Sequence, residues 1–399
     1  MHNKLTESWK RVKLSEVGKI LTGNTPSTKC IEYYNSNDVM FIKPNDLKEN
    51  TFNKISYSKA YISLSGAEKV RRVPSGSVLV TCIGIIGKVA LVENEACFNQ
   101  QINAIIPDKC IIDGKFLGYA ILRYNYLLKA AANAPLIPII NKSQFSNIEI
   151  MIPSVKVQKK IVKILEKAEE ALGKRREANR LLDEYLKSVF VGMCSEESND
   201  IKLVNHVVKS IDAGWSVGGE ERAICNDEIA VLKISAVTKG TFDASKYKVI
   251  SKDVKIKKHL SCKRGDILFS RANTRELVGA SCIVYKDYDN LILPDKLWRI
   301  TIDESLMTRE FFLYSINTNK VRKEISKLST GTSGSMLNIS MAKFKNIELN
   351  VMSFKKQEIF SEIYLKIQTI KENTMLNEIK LSNLFNSLMK DAFNGKLKF

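Results

Sequence analysis

At 399 residues the chain is longer than one hydrophobic core usually serves, and 62 lysines and arginines against 43 acidic residues leave a net charge of +19. A balance that one-sided points to a polyanion, nucleic acid first, with a charged surface kept only for solubility as the plainer alternative. Eight scattered cysteines without a C-x-x-C pair, no apolar leader and no run near the ~20 apolar residues of a membrane span argue against a disulfide scaffold or a membrane protein, and predict reduced cytoplasmic thiols.

In chain order, the first patterned stretch is Trp9 to Val17, apolar and basic by turns. Lys43-Pro44-Asn45-Asp46 reads as a strand end from which Lys43 and Asn45 reach a DNA groove. Val73 to Val80 is a Gly-led turn followed by an apolar strand. The loop from Thr81 to Lys88 follows it. Gly84-Ile85-Ile86-Gly87-Lys88-Val89 is two residues too short between its glycines for a phosphate loop and ends in Val, so a tight turn is expected. A second polar loop runs from Ala134 to Asn141 and Lys142.

The stretch NIEIMIPSVKVQKKI (147–161) then leads into a proline-free segment, Gln158 to Met193, rich in helix formers. Ile161, Leu165, Ala168, Leu172, Arg175, Asn179, Leu182, Leu186, Val189 and Met193 alternate by four and three, the spacing of a coiled-coil seam.

The whole programme repeats. Lys13-Leu14 matches Lys202-Leu203 and residues 73–80 match 262–269, both 189 residues on. Lys233-Ile234-Ser235 is the counterpart of 43–46. Ser270, Arg271, Asn273 and Arg275 form a loop matched to 81–88, with Leu277 to Ala280 as its turn. Thr332, Ser333, Ser335 and Asn338 lie in a small, flexible stretch matched to 134–142. NIELNVMSFKKQEIF (346–360) shares six of fifteen positions with 147–161 at an offset of 199. It leads to Ile363, Ile367, Ile370, Thr374, Asn377, Leu381, Leu384 and Leu388, again spaced four and three. Two helices of about 36 residues, ~54 Å long, are expected to pair antiparallel, with buried polar groups such as Asn179 and Asn377 fixing register. The plainer reading is that each helix packs only on its own half.

Arginine, asparagine and glutamine present paired groups to base edges, whereas lysine and glycine-rich backbone meet phosphate. The DNA-facing candidates are therefore Lys43, Asn45, Thr81, Lys88, Asn141, Lys142, Lys233, Ser270, Arg271, Asn273, Arg275, Thr332, Ser333, Ser335 and Asn338. A solvated loop is the alternative for each stretch. No catalytic or metal constellation emerges: the three histidines, His2, His206 and His259, are far apart, no two prolines adjoin, and Pro107-Asp108 and Pro294-Asp295 lack an acidic-x-Lys partner.

These residues, in order and twice over, resemble the specificity subunits of type I restriction-modification systems. The stretches carrying the resemblance are Trp9 to Leu14, Pro74 to Leu79, Arg264 to Leu268, and the leaders 148–153 and 347–352 with Gln158 and Gln357; Met352 departs from the proline that Pro153 supplies in the first copy. The resemblance implies an α/β fold: two target recognition domains (1–153 and 196–352) in a pseudo-twofold tandem repeat, joined by two long antiparallel coiled-coil helices (154–195 and 353–399). It implies a chain that is not itself an enzyme. Double-stranded DNA with a bipartite target, two modification (methyltransferase) subunits and restriction subunits are the implied partners, with no membrane. S-adenosylmethionine, ATP and Mg belong on this view to partner chains. A stand-alone divergent methyltransferase or nuclease, and a coiled-coil scaffold, are the alternatives.

Overall fold

The computed structural model describes residues 9–132, 137–195, 200–225, 227–331 and 336–397. They fall into two compact units: residues up to Arg176 together with Leu376–Phe399, and Glu177–Met375. Thr332, Ser333 and Ser335 lie outside the described residues.

In the first unit the order is β1 (Lys10–Lys13), β2 (Gly18–Thr22), β3 (Val39–Ile42), β4 (Phe52–Ile55), β5 (Tyr61–Ile62), α1 (Leu64–Ala67), β6 (Arg72–Val73), β7 (Val78–Thr81), β8 (Val89–Val92), β9 (Ala96–Phe98) and β10 (Ile102–Pro107). Then come α2 (Gly114–Arg123), α3 (Asn125–Ala131), α4 (Lys142–Ser146), β11 (Glu149–Ile152) and α5 (Val155–Ser195). The sheets are β2-β10-β7-β8-β4, β5-β3-β9-β6 and the pair β1-β11. The apolar runs of β7 and β8 are covered on both faces. Val78, Val80, Val89 and Leu91 face the cluster under α2, whereas Leu79, Ala90 and Val92 face the cluster shared with β3 and β9.

The second unit repeats this with β12 (Asp200–Leu203), α6 (Val204–Val207), β13 (Val208–Ala213), β14 (Ala230–Leu232), β15 (Tyr247–Val249), β16 (Ser261–Cys262), β17 (Ile267–Ser270), β18 (Ala272–Asn273), β19 (Ser281–Ile283), β20 (Tyr288–Ile292) and β21 (Leu297–Ile302). It closes with α7 (Arg309–Asn317), α8 (Asn319–Leu328), β22 (Leu337–Asn338), α9 (Met341–Lys345), β23 (Glu348–Val351) and α10 (Phe354–Phe393). Its sheets are β13-β21-β17-β19, β15-β14-β20-β16, and the pairs β12-β23 and β18-β22.

Hydrogen bonds fix how the repeat aligns. Gly76 N donates to Val92 O (2.8 Å) and Gly265 N to Val284 O (2.7 Å), each glycine at φ near +90°, so the offset of 189 holds there. The opening strands β1 and β12 are different. Lys13 pairs with Glu149 and Leu203 with Glu348, while Leu14 N and Val204 N donate to Ile148 O and Ile347 O. The structural offset is therefore 190, and Leu14 corresponds to Val204 rather than Leu203. Burial decides it: Leu14 and Val204 are both fully buried.

The repeated glutamines explain the doubled stretch. Gln158 is fully buried; its amide oxygen accepts from Asp113 N (2.8 Å), and its nitrogen donates to Ile111 O (3.0 Å) and Pro153 O (2.9 Å). Gln357 accepts from Thr308 N (3.1 Å) and donates to Met352 O (2.8 Å). Asp113 and Thr308 are the N-cap residues of α2 and α7. Each glutamine thus fastens the first turn of a long helix to the start of a core helix.

The long helices pair antiparallel within each unit. In the first, Ile161 and Leu165 of α5 share a core with Phe385, Leu388, Met389, Ala392 and Phe393 of α10, Leu172 is buried, and Arg176 Nε meets Glu378 Oε1 at 2.9 Å. In the second, Leu182, Leu186 and Phe190 pack with Phe360, Ile363, Tyr364 and Ile367, and Lys371 Nζ meets Asp183 Oδ1 at 2.6 Å.

On α10 the seam differs from the spacing read in the sequence. Residues 367, 374, 381 and 388 are buried or half-buried, but Ile370 (48% exposed), Asn377 and Leu384 (53% exposed) face outward, and Ile363 lies only at the edge. The inward positions are one residue later, at Tyr364, Lys371, Glu378 and Phe385. Two are charged and are matched by the ion pairs to Asp183 and Arg176, which apolar periodicity does not register. Asn179 is half-buried with its Oδ1 lacking a partner, so of the two asparagines only Asn179 turns inward. At the middle of α10 the buried polar group is Thr374, whose hydroxyl donates to Ile370 O (2.8 Å).

A candidate nucleic-acid interface

In the first unit β7 runs into the turn 82–88. Gly87 N donates to Thr81 O (2.9 Å), and Gly84 and Gly87 take φ of +78° and +82°. Cys82 O accepts from Ile140 N, Gly84 N donates to Pro138 O, and Ile83 bridges Ile139. These bonds lay the turn against the strand-like residues 138–140, directly ahead of Asn141 and Lys142. Lys88 Nζ donates to Pro44 O (3.4 Å) and sits 3.6 Å from Glu49, which ties in the 43–46 stretch. Three stretches distant in sequence are therefore neighbours.

The side chains divide sharply. Lys43, Asn45, Asn141 and Lys142 are exposed. Lys43 Nζ lies 5.8 Å from the Phe41 ring centroid, and Asn141 Oδ1 caps α4 by accepting from Gln144 N (2.8 Å). Thr81 is fully buried, its hydroxyl accepting from Lys88 N (3.0 Å) and donating to Ile85 O (2.5 Å). Lys88 is buried as well. Thr81 and Lys88 are thus corrected from DNA-facing groups to builders of the turn, because both side chains are buried and bonded within it or to the 43–49 stretch.

The second unit builds the same junction. Ser270 N donates to Ala280 O, Gly279 N to Ser270 O (2.7 Å), and Ile339 N to Arg271 O (3.0 Å). Ala272 pairs with Asn338 and Asn273 with Leu337. By these bonds Ile140 corresponds to Ile339 and Asn141 to the α9 cap Ser340; Asn338 corresponds to Ile139.

Arg271 is one-third exposed, its Nε donating to Asp295 O (3.0 Å) and its Nη2 lying 3.6 Å from Asp295 Oδ2. Asp295 therefore holds the arginine of this loop, a role unread in the sequence because the two are joined only through the fold. Arg275 is exposed. Asn273 turns back, donating to Ser270 Oγ (3.4 Å) and accepting from Thr274 N (2.9 Å). Ser270 is fully buried, and like Thr81 is corrected to a turn-building residue. Asn338 is half-buried, its backbone paired both ways with Thr330. Lys233 Nζ meets Glu221 Oε1 at 2.7 Å, in the part of the unit formed with β15.

Among the described residues, no group of three His, Cys, Asp or Glu residues is placed to hold a metal ion, and no helix is long and apolar enough to cross a membrane.

The sequence profile of the type I restriction modification DNA specificity domain matches residues 6–181. The type I restriction enzyme MjaIX specificity subunit of Methanocaldococcus jannaschii is 24% identical over 99% of this chain and 94% of its own length. The HindI specificity subunit of Haemophilus influenzae is 35% identical over 40% of this chain and 36% of its own. Among solved structures, the type I restriction-modification S subunit from M. genitalium shares the fold, with a TM-score of 0.60 at 14% identity across 98% of both chains. The fold repeated in both halves is thus shared with a type I restriction-modification S subunit, and the chain is similar along its length to a type I restriction enzyme specificity subunit.

Proposed function

We propose that each unit reads one short block of a bipartite DNA target through its paired loops, 82–88 with 138–142 in the first and 271–279 with 336–340 in the second. The observation that carries this reading is the twice-built junction. Two loops far apart in sequence are hydrogen-bonded side by side in each unit, with Lys43, Asn45, Asn141 and Lys142 exposed in one and Arg271 and Arg275 in the other. Arginine and asparagine supply base readout, and lysines supply phosphate affinity that weakens with salt.

On this reading the chain performs no chemistry itself. The long helices set the gap between the two blocks and dock two modification subunits; exposed apolar residues on α10, among them Leu365, Leu376 and Ile379, support a partner surface there. S-adenosylmethionine, ATP and Mg act in the modification and restriction subunits.

Selection of bound duplexes from a random pool, with the chain reconstituted with modification subunits, tests the reading. Two fixed blocks around an unread gap are expected; one continuous motif or none would refute it. Arg271→Ala should relax preference at one position of one block, losing about 1–3 kcal/mol of discrimination there.

A further inference from the structure

The two reading loops are braced differently. From Thr81 to Gly87 the first is short, and Thr81 Oγ1 spans it by binding Lys88 N and Ile85 O. From Ser270 to Gly279 the second is three residues longer, and Ser270 Oγ, donating to Ala272 O and accepting from Asn273 Nδ2 (both 3.4 Å), reaches no further than residue 273. The rest of that loop turns on Leu277 N and Val278 N donating to Thr274 O (3.0 and 2.8 Å), and it is also held from outside. Arg322 Nη2 of α8 donates to Glu276 O (2.9 Å), and Ser326 Oγ donates to Arg275 O (3.2 Å).

Arg322 and Ser326 are one helical turn apart, so both project from one face. Their helix is itself fixed, with Val321 and Ile325 buried in the unit's core. Gly279 makes room for the guanidinium. A Cβ there would lie 2.7 Å from Arg322 Nη1 and 2.8 Å from Ile325 Cγ2, and its φ of +82° suits glycine. Arg322 Nη1 is buried without an acceptor. A part-buried cation beneath the loop favours carbonyls turned toward it, leaving the side chains on the outer face to project away.

We propose that Arg322 and Ser326 are positioning residues that fix the backbone of the second reading loop and thereby set the specificity of the second half-site. The inference rests on the recognition reading above. Neither residue needs to touch DNA. Their effect passes through the carbonyls of Arg275 and Glu276 to a loop that carries Arg271 and Arg275.

Two readouts on the full chain test this with Arg322→Met, Arg322→Lys and Ser326→Ala. In the free chain, amide exchange of residues 275–279 should quicken about tenfold in Arg322→Met and less in Ser326→Ala, as expected when local opening is eased. In the complex with modification subunits, duplex selection should show one block blurred, with about tenfold less discrimination, while the other block and the gap are unchanged. Arg322→Lys, which restores charge and one donor, should recover part of both effects. Unchanged exchange, an intact second block, or equal loss of both blocks with a large fall in melting temperature would overturn the proposal. Failure of the wild-type complex to select two blocks would instead refute the recognition reading, and is seen without any variant.

Discussion

Replacing Gln158 by methionine, similar in volume but without an amide, isolates the hydrogen bonds of the repeated glutamine from its packing. The change removes three bonds at 2.8–3.0 Å made by a fully buried side chain and leaves Asp113 N, Ile111 O and Pro153 O without that partner. At roughly 1 kcal/mol for each hydrogen bond removed, the first unit should lose about 3 kcal/mol. For a unit of this size that is roughly 6–12 °C in melting temperature. Gln357→Met in the second unit removes two bonds, and should cost about 2 kcal/mol. Scanning calorimetry of the full chain measures both variants against the parent. A loss below about 1 kcal/mol for Gln158→Met, or a larger loss for Gln357→Met, would refute the view that the doubled stretch is kept by these bonds.

Gly87→Ala should destabilise the first unit more than Gly76→Ala in urea titration. Both sit at positive φ, but a Cβ at Gly87 would strike Asn125 Oδ1 whereas Gly76 has open space, so Gly76→Ala should cost only about 1–2 kcal/mol. A disulfide-exchange reagent at neutral pH should label exposed Cys110 and Cys225 quickly. Cys82, Cys97 and Cys262 should wait for unfolding, since burial pushes their thiols up to about 12, 11 and 12; rapid modification of Cys82 in the folded chain would count against the core as described. Glu228 is held down to about 2 by the Arg222 guanidinium, with Cys225 N adding a hydrogen bond. Its folded pKa is depressed, so its contribution to stability is present above the ordinary carboxylate range and lost as pH falls toward 2. An NMR titration of its carboxyl carbon with a midpoint near 4 would contradict this.

The sequence discloses elements whose signal is local. Both long helices follow from their composition and alternation, and the Gly76 and Gly265 turns follow from one residue type at one backbone angle. Contacts made across the fold are invisible in the same way that Lys371 is: beside Ile370 it reads as a solvent residue, yet it turns inward because Asp183 waits on the facing helix. The same cause shifts half the α10 seam by one position. The opening strands align one residue off in letters because Lys-Leu recurs, whereas the sheet matches Leu14 to Val204 by burial. In the candidate interface the stretches were legible and their side chains were not. Thr81 and Ser270 have the polarity of surface residues, but a β-strand that ends buried directs them into the turn that follows.

The first unit is interrupted in sequence, since its core includes Phe385, Met389, Ala392 and Phe393, which follow the entire second unit. During synthesis at about 5–20 residues per second, the ~200 intervening residues take roughly 10–40 s to emerge. For that interval Phe116, Ile161 and Leu165 lack the aromatic and aliphatic groups that cover them in the finished molecule. The second unit, made of contiguous residues, can close before the first is complete. The later-made unit is thus free to fold earlier, and the segment most exposed to misassembly or chaperone capture is the opening half of α5.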